Sequence, residues 1–94
     1  MTPEGAVKKK IKDILQAKGA YFTMPIGTGY GAAGVPDFVI CYKGRFIGVE
    51  AKANGNKPTA LQDKHMSAIR GVGGFTLVID EKNIDDLTQL LEKL

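Results

Sequence analysis

Apolar residues run along this chain with two different periods, and the changes from one to the other divide it into elements. Val7, Ile11, Ile14 and Leu15 recur at helical spacing, which makes one apolar stripe on a helix. Thr2-Pro3-Glu4 ahead of them supplies an N-cap, a proline in the first turn and an acid beside the positive helix end. The spacing predicts a helix to about Lys18, stopped by Gly19. Stepping the stripe back three residues from Val7 reaches Glu4, so this acid is expected to point inward from the helix start. Residues 20–24 read as a short strand ended by Pro25. Residues 37–42 and 45–52 are two further strands, with Lys43-Gly44 as a tight turn between them.

The second half repeats the alternation. Thr59 and Gln62 stand at capping-box spacing and open a helix through Arg70, closed by Gly71, with Leu61, His65, Ala68 and Ile69 as its expected inner side. Residues 75–79 are apolar throughout, as a buried strand reached by a helical crossover and therefore parallel to its neighbour would be. Asn83 is expected to cap a last helix bearing Ile84, Leu87, Leu90 and Leu91, with Asp85 and Asp86 at its positive end. The order helix, three strands, helix, strand, helix predicts an α/β fold, a four-stranded mixed sheet flanked by helices.

Length and composition narrow the function without naming it. Ninety-four residues are expected to form one domain over 1–94, so any activity must sit on the core fold itself. A net charge of +3 and a pI near 9.1 lean mildly toward a polyanionic partner. The single cysteine, Cys41, lies in an apolar strand and is expected to be a small buried hydrophobe. One cysteine excludes a disulfide framework and a thiolate zinc site, and suggests a reducing compartment. No apolar run is long enough for a bilayer and no signal peptide is evident, so a soluble, cytoplasmic protein without membrane contact is expected. The glycine-rich stretch at 26–34 resembles a phosphate loop only superficially, because no Gly-Lys-Ser/Thr follows; it reads as a surface loop, with Tyr30 available to stack on a base.

The informative chemistry lies around the predicted hairpin. If Lys43 and Gly44 are its two loop residues, Tyr42 faces Arg45 and Asp37 falls across from Glu50, two carboxylates on one face. Lys52 joins that face two residues on, while Ala51 points away and offers its backbone carbonyl. A three-residue turn would shift the register and separate the two acids. Opposed like charges destabilise a sheet, so a cation is expected between them; hard oxygen donors without thiolates suit Mg²⁺ or Mn²⁺. Lys52 is then placed to orient an attacking water, or it neutralises Glu50 in a structural ion pair, and spacing leaves both open. His65 has no histidine partner and is left out of the site.

"PDFVI" followed by "VEAK" resembles the signature of the PD-(D/E)XK nuclease superfamily. With "GVPDFVI", "GVEAK", a downstream "LQ" and an acid in the first helix, the chain looks more closely like the virus-type replication-repair nuclease (VRR-NUC) family in its compact, stand-alone, phage-like form, from Glu4 to about Phe75. The resemblance implies a restriction-endonuclease-like core, with Asp37, Glu50 and the Ala51 carbonyl binding the metal and Lys52 positioning the nucleophilic water. It further implies that Gln62 orients Lys52 or contacts the scissile phosphate, beside its capping role. Glu4 matches the family's extra acid and would reach the metal through water, or it serves only the helix dipole. Alanine in the middle of "EAK" departs from the usual aliphatic residue, where only the backbone is used.

The activity so implied is Mg²⁺-dependent cleavage of DNA, with Mn²⁺ as a substitute. A chain this short has no separate domain to read base sequence, so branched DNA such as a four-way junction is the expected substrate. Cutting both strands calls for a homodimer, in a bacterial host if the gene is phage-borne. Lys8, Lys12, Lys43, Arg45, Lys57 and Lys64 are candidate phosphate contacts. A non-catalytic nucleic-acid-binding module on the same fold, or a related nuclease for other DNA or RNA, are the alternatives.

Overall fold

The computed structural model describes residues 1–26 and 33–94. Its elements follow the expected order: α1 (Pro3–Lys18), β1 (Tyr21–Thr23), β2 (Phe38–Tyr42), β3 (Arg45–Ala51), α2 (Ala60–Gly71), β4 (Phe75–Ile79) and α3 (Asp85–Lys93). Tyr30 lies outside the described residues. Thr2 Oγ1 accepts the Gly5 N–H at 2.9 Å, and Gly19 ends α1 in the left-handed conformation at φ 72°. The turn between β2 and β3 has positive φ at both central residues, 51° at Lys43 and 77° at Gly44. That is the primed geometry whose twist matches the flanking strands. It sets Tyr42 against Arg45 and carries the pairing to Phe38 against Val49.

The sheet order is β1-β2-β3-β4, antiparallel except for the β3–β4 pair, which is parallel. One face carries Phe38, Ile40, Ile47, Val49, Ala51 and Ile79, packed on Val7, Ile11 and Leu15 of α1 and on Leu87 and Leu91 of α3. The opposite face is covered by α2, over β3 and β4. β3 is thus enclosed from Ile47 to Ala51, which explains why it is an almost unbroken apolar run. Gly48 permits the close approach of α2: a Cβ there would lie 2.8 Å from Ile69 Cδ1 and 3.0 Å from Pro36 Cγ.

Three expectations are corrected. The inner side of α2 is not Leu61 and Ala68, which are exposed; Met66 is buried, with Gln62, His65 and Ile69 half-buried beside it. The two sides share His65 and Ile69, and Ile69 lands over Gly48 in the structure. Cys41 is exposed rather than buried. It lies on the α2 side of the sheet but on β2, beyond the strands that α2 covers, in register with Tyr21 and Phe46, also exposed. Asn83 does not cap α3: its Oδ1 accepts the Asp80 N–H at 2.7 Å and its Nδ2 donates to the Val78 carbonyl at 2.9 Å. It closes the turn that leaves β4.

Gly34 holds the segment leading into β2 against the start of α2. Its φ is +85°, and a Cβ there would stand 2.8 Å from the Leu61 carbonyl carbon. Gly34→Ala is expected to cost about 1–3 kcal/mol, read as a lower urea midpoint at unchanged m-value.

Candidate active site

The β2–β3 register ends in an exchange of side chains for ladder bonds. Asp37 stands one residue before β2, and Glu50 is the last but one residue of β3. Continued by one pair, the register sets them opposite each other, as the hairpin reading expected. The Asp37 N–H donates to Glu50 Oε1 at 2.9 Å, and the Ala51 N–H donates to Asp37 Oδ2 at 2.8 Å. Each carboxylate spends one oxygen on the opposite strand's backbone and keeps one. Asp37 keeps Oδ1, and Glu50 keeps Oε2, which is buried and has no hydrogen-bond partner among the described residues.

Glu50 is 0% exposed. Burial, and next to it the charge of Asp37, push its carboxyl from 4.5 up to about 7; the hydrogen bond from the Asp37 amide and the charge of Lys52 act in the opposite direction. An orphaned oxygen on a fully buried carboxylate is costly unless a cation or a proton satisfies it.

Lys8 approaches from α1. Its Nζ lies 3.7 Å from Asp37 Oδ1 and 3.6 Å from Glu4 Oε2. Glu4 is half-buried at the helix start and meets Asp37 through Lys8. The Glu4–Lys8 pair was legible from its i, i+4 spacing; the contact with Asp37 is tertiary, and no local signal pointed to it. Lys52 is half-buried, and no carboxylate lies within ion-pair distance of it among the described residues. The Lys52–Glu50 ion pair left open by spacing is therefore not formed, although the charge of Lys52 reaches Glu50. The Lys52 N–H donates to the Ile79 carbonyl at 2.9 Å. By the alternation of a strand, the Ala51 N–H and C=O then both face β2, on the side of Asp37.

The Gln62 side chain accepts the Thr59 N–H at 2.9 Å, completing the capping box. Gln62 shares the inward side of α2 with Met66. Lys8 and Lys12 line one groove with Met24. Lys57 and Lys64 are exposed before and on α2. Lys43 and Arg45 flank the hairpin turn, roughly 20 Å from Asp37 at about 3.3 Å per residue. There Lys43 Nζ donates to the Leu94 carbonyl at 3.1 Å and Arg45 Nη1 to the Lys43 carbonyl at 3.3 Å. His65 lines an apolar groove at that same far end, with Phe46 and Ile69.

No group of three or more His, Cys, Asp or Glu side chains gathers as a metal cage among the described residues. What the site offers is two carboxylates and a strand carbonyl, all hard oxygen donors, one of them buried without a partner. That set fits a cation of the Mg²⁺ type, which keeps several waters and takes one or two carboxylates, better than a metal needing a full protein shell.

Because the folded chain holds the Glu50 proton more tightly than the unfolded chain, folding takes up a proton between pH 4.5 and about 7. Glu50 therefore favours the folded state most at low pH and loses that contribution as pH rises through about 7. In EDTA, Glu50→Gln is expected to gain stability over wild type across this range, by up to a few kcal/mol, in paired urea titrations; a difference that does not change with pH overturns this account of Glu50.

No family model and no curated protein matches the chain. Among the described residues, no helix is long and apolar enough to cross a membrane. A solved structure described as a VRR_NUC domain is similar to it with a TM-score of 0.76 and 27% sequence identity, over 95% of this chain and 97% of the other. The likeness spans nearly the full length of both chains, and the same topology brings "PD" and "EAK" together at one end of the hairpin. On these grounds the chain has a nuclease-type fold, similar over nearly its whole length to a VRR_NUC domain.

Proposed function

We propose that this protein is a Mg²⁺-dependent endonuclease that hydrolyses phosphodiester bonds in branched DNA, four-way junctions above all, as a homodimer. The observation that carries this reading is the buried Glu50 carboxylate, with one oxygen unpartnered, beside Asp37 on a nuclease-type fold. Asp37, Glu50 and the Ala51 carbonyl would hold one Mg²⁺, or Mn²⁺ in its place. When bound, that ion polarises the phosphoryl oxygen and lowers the pKa of the attacking water. Lys52, free of any carboxylate contact among the described residues, orients that water and balances charge at the phosphate. Gln62 keeps the start of α2 in place through its cap. Glu4, linked to Asp37 through Lys8 in the metal-free site, would reach the ion through water.

Two strands of a junction need two sites, and each chain supplies one. The row Tyr21, Cys41 and Phe46 lies on the same sheet face as Glu50, with Tyr21 72% and Phe46 47% exposed. We assign that uncovered apolar row to contact with a second copy. Junction shape rather than base identity then sets specificity. The rival is a nucleic-acid-binding module without turnover, favoured by the Lys8–Asp37 pair and the Gln62 cap, which are what a purely structural use of these residues produces.

Cleavage of a labelled four-way junction, beside its linear arms, in Mg²⁺, Mn²⁺ and EDTA separates the readings. Paired, metal-dependent nicks are expected at the junction. Asp37→Asn and Lys52→Ala are each expected to lower the rate by about 10²- to 10⁴-fold while remaining folded by circular dichroism. Junction binding without product in either metal moves the assignment to the binding module. Light scattering is expected to give a dimer mass for wild type and a monomer mass for Phe46→Glu; a wild-type monomer, free and on the junction, removes the homodimer.

A further inference from the structure

On α1, Lys8 differs from its neighbour Lys9. Its side chain is 34% exposed against 58% for Lys9, whose Nζ pairs with Asp13 along the helix at 3.2 Å. The pair with Glu4 follows from helical spacing; the approach to Asp37 at 3.7 Å does not. Val7 and Ile11, buried on either side in the sequence, fix the rotation of α1 so that Lys8 comes up at the rim of the site. The Asp37 oxygen it approaches is Oδ1, the one that the Ala51 amide leaves free. That oxygen, free of any backbone hydrogen bond, is the one Asp37 most readily offers a divalent cation.

We infer that Lys8 is the resident counter-ion of the metal-free site: a divalent cation displaces it from Asp37, and the freed ammonium then neutralises a phosphate oxygen of the bound nucleic acid. This rests on the proposed reading of Asp37 and Glu50 as metal-holding residues. Lys8 is a positioning residue, acting on the reaction through Asp37 and through the phosphate. In the absence of nucleic acid it opposes metal binding; in its presence it favours the loaded complex. Metal affinity and nucleic-acid affinity are thereby coupled through one side chain.

The size of the effect follows from the exposure of the pair. A partly exposed ion pair contributes up to about 1 kcal/mol, so displacing Lys8 weakens metal binding by about two- to fivefold. The first measurement is calorimetric titration of Mn²⁺ into DNA-free protein. Lys8→Met and, as a second substitution, Lys8→Gln are expected to tighten binding by that factor. Lys8→Arg restores the wild-type value, and Lys9→Met leaves it unchanged. The second is the salt dependence of junction binding, in EDTA and in Ca²⁺, with the strands verified intact on a gel. Lys8→Met is expected to reduce the slope by about one phosphate contact in Ca²⁺ and to leave it unchanged in EDTA, where the lysine is held by Asp37.

Mn²⁺ affinity that is unchanged or weaker in Lys8→Met and Lys8→Gln overturns the inference, since Lys8 then does not compete for Asp37. A slope reduced equally with and without metal also overturns it, and makes Lys8 a plain phosphate contact. Wild-type protein that binds no Mn²⁺ at all removes the metal reading of the two acids and this inference with it. Binding by wild type that Asp37→Asn abolishes but Lys8→Met does not tighten leaves the metal reading standing alone.

Discussion

The register of β2 against β3 is the constraint on which the candidate site of this molecule depends. Two residues in positive φ, Lys43 and Gly44, set it at one end of the hairpin. Its consequence appears at the other end, where the Asp37 and Glu50 carboxylates each accept an amide from the opposite strand. Side chains alternate faces along a strand, so a slip of one residue would turn one acid toward α1 and the other toward α2. The turn chemistry and the position of the acids are one geometrical fact, transmitted through five paired positions.

The same site is where the fold works against itself. Everywhere else on β3 the enclosure is apolar: Ile47, Val49 and Ala51 on one face, Gly48 against Ile69 and Pro36 on the other. Glu50 is enclosed with them, and its second oxygen has no partner among the described residues. A chain selected only for stability would place an apolar residue there. A local rule broken inside an otherwise consistent core is what supports the role proposed for Glu50.

The cations sort into two groups that sequence position does not separate. Lys8 borders the acids, whereas Lys43 and Arg45, on the same hairpin as the acids, are carried to its far end and engage backbone carbonyls. The exposure of Tyr21 and Cys41 has a related geometric cause: they lie on β1 and β2, whereas α2 covers β3 and β4. Charge and apolar surface are therefore distributed by topology, on a chain whose net charge of +3 is unremarkable in itself.

Periodicity, caps and turn residues determined the element order, the helix limits at Thr2, Gly19 and Thr59, and the pairing of Tyr42 with Arg45, because each depends on neighbours within a few positions. Asp37 opposite Glu50 was legible for the same reason, since a two-residue turn propagates its register without outside help. The buried face of α2 was not, because its two possible inner sides share His65 and Ile69 and differ only in what the sheet beneath covers, which is Met66 rather than Leu61. Cys41 looked buried because an apolar strand gives no sign of whether a helix covers it. Asn83 looked like a cap because its bonds to Asp80 and Val78 exist only once the chain has turned out of β4. Lys8 against Asp37 joins residues far apart in the chain, and only the packing of α1 on the sheet brings that ammonium to the acids, where long-range charge adds to what local sequence had already placed.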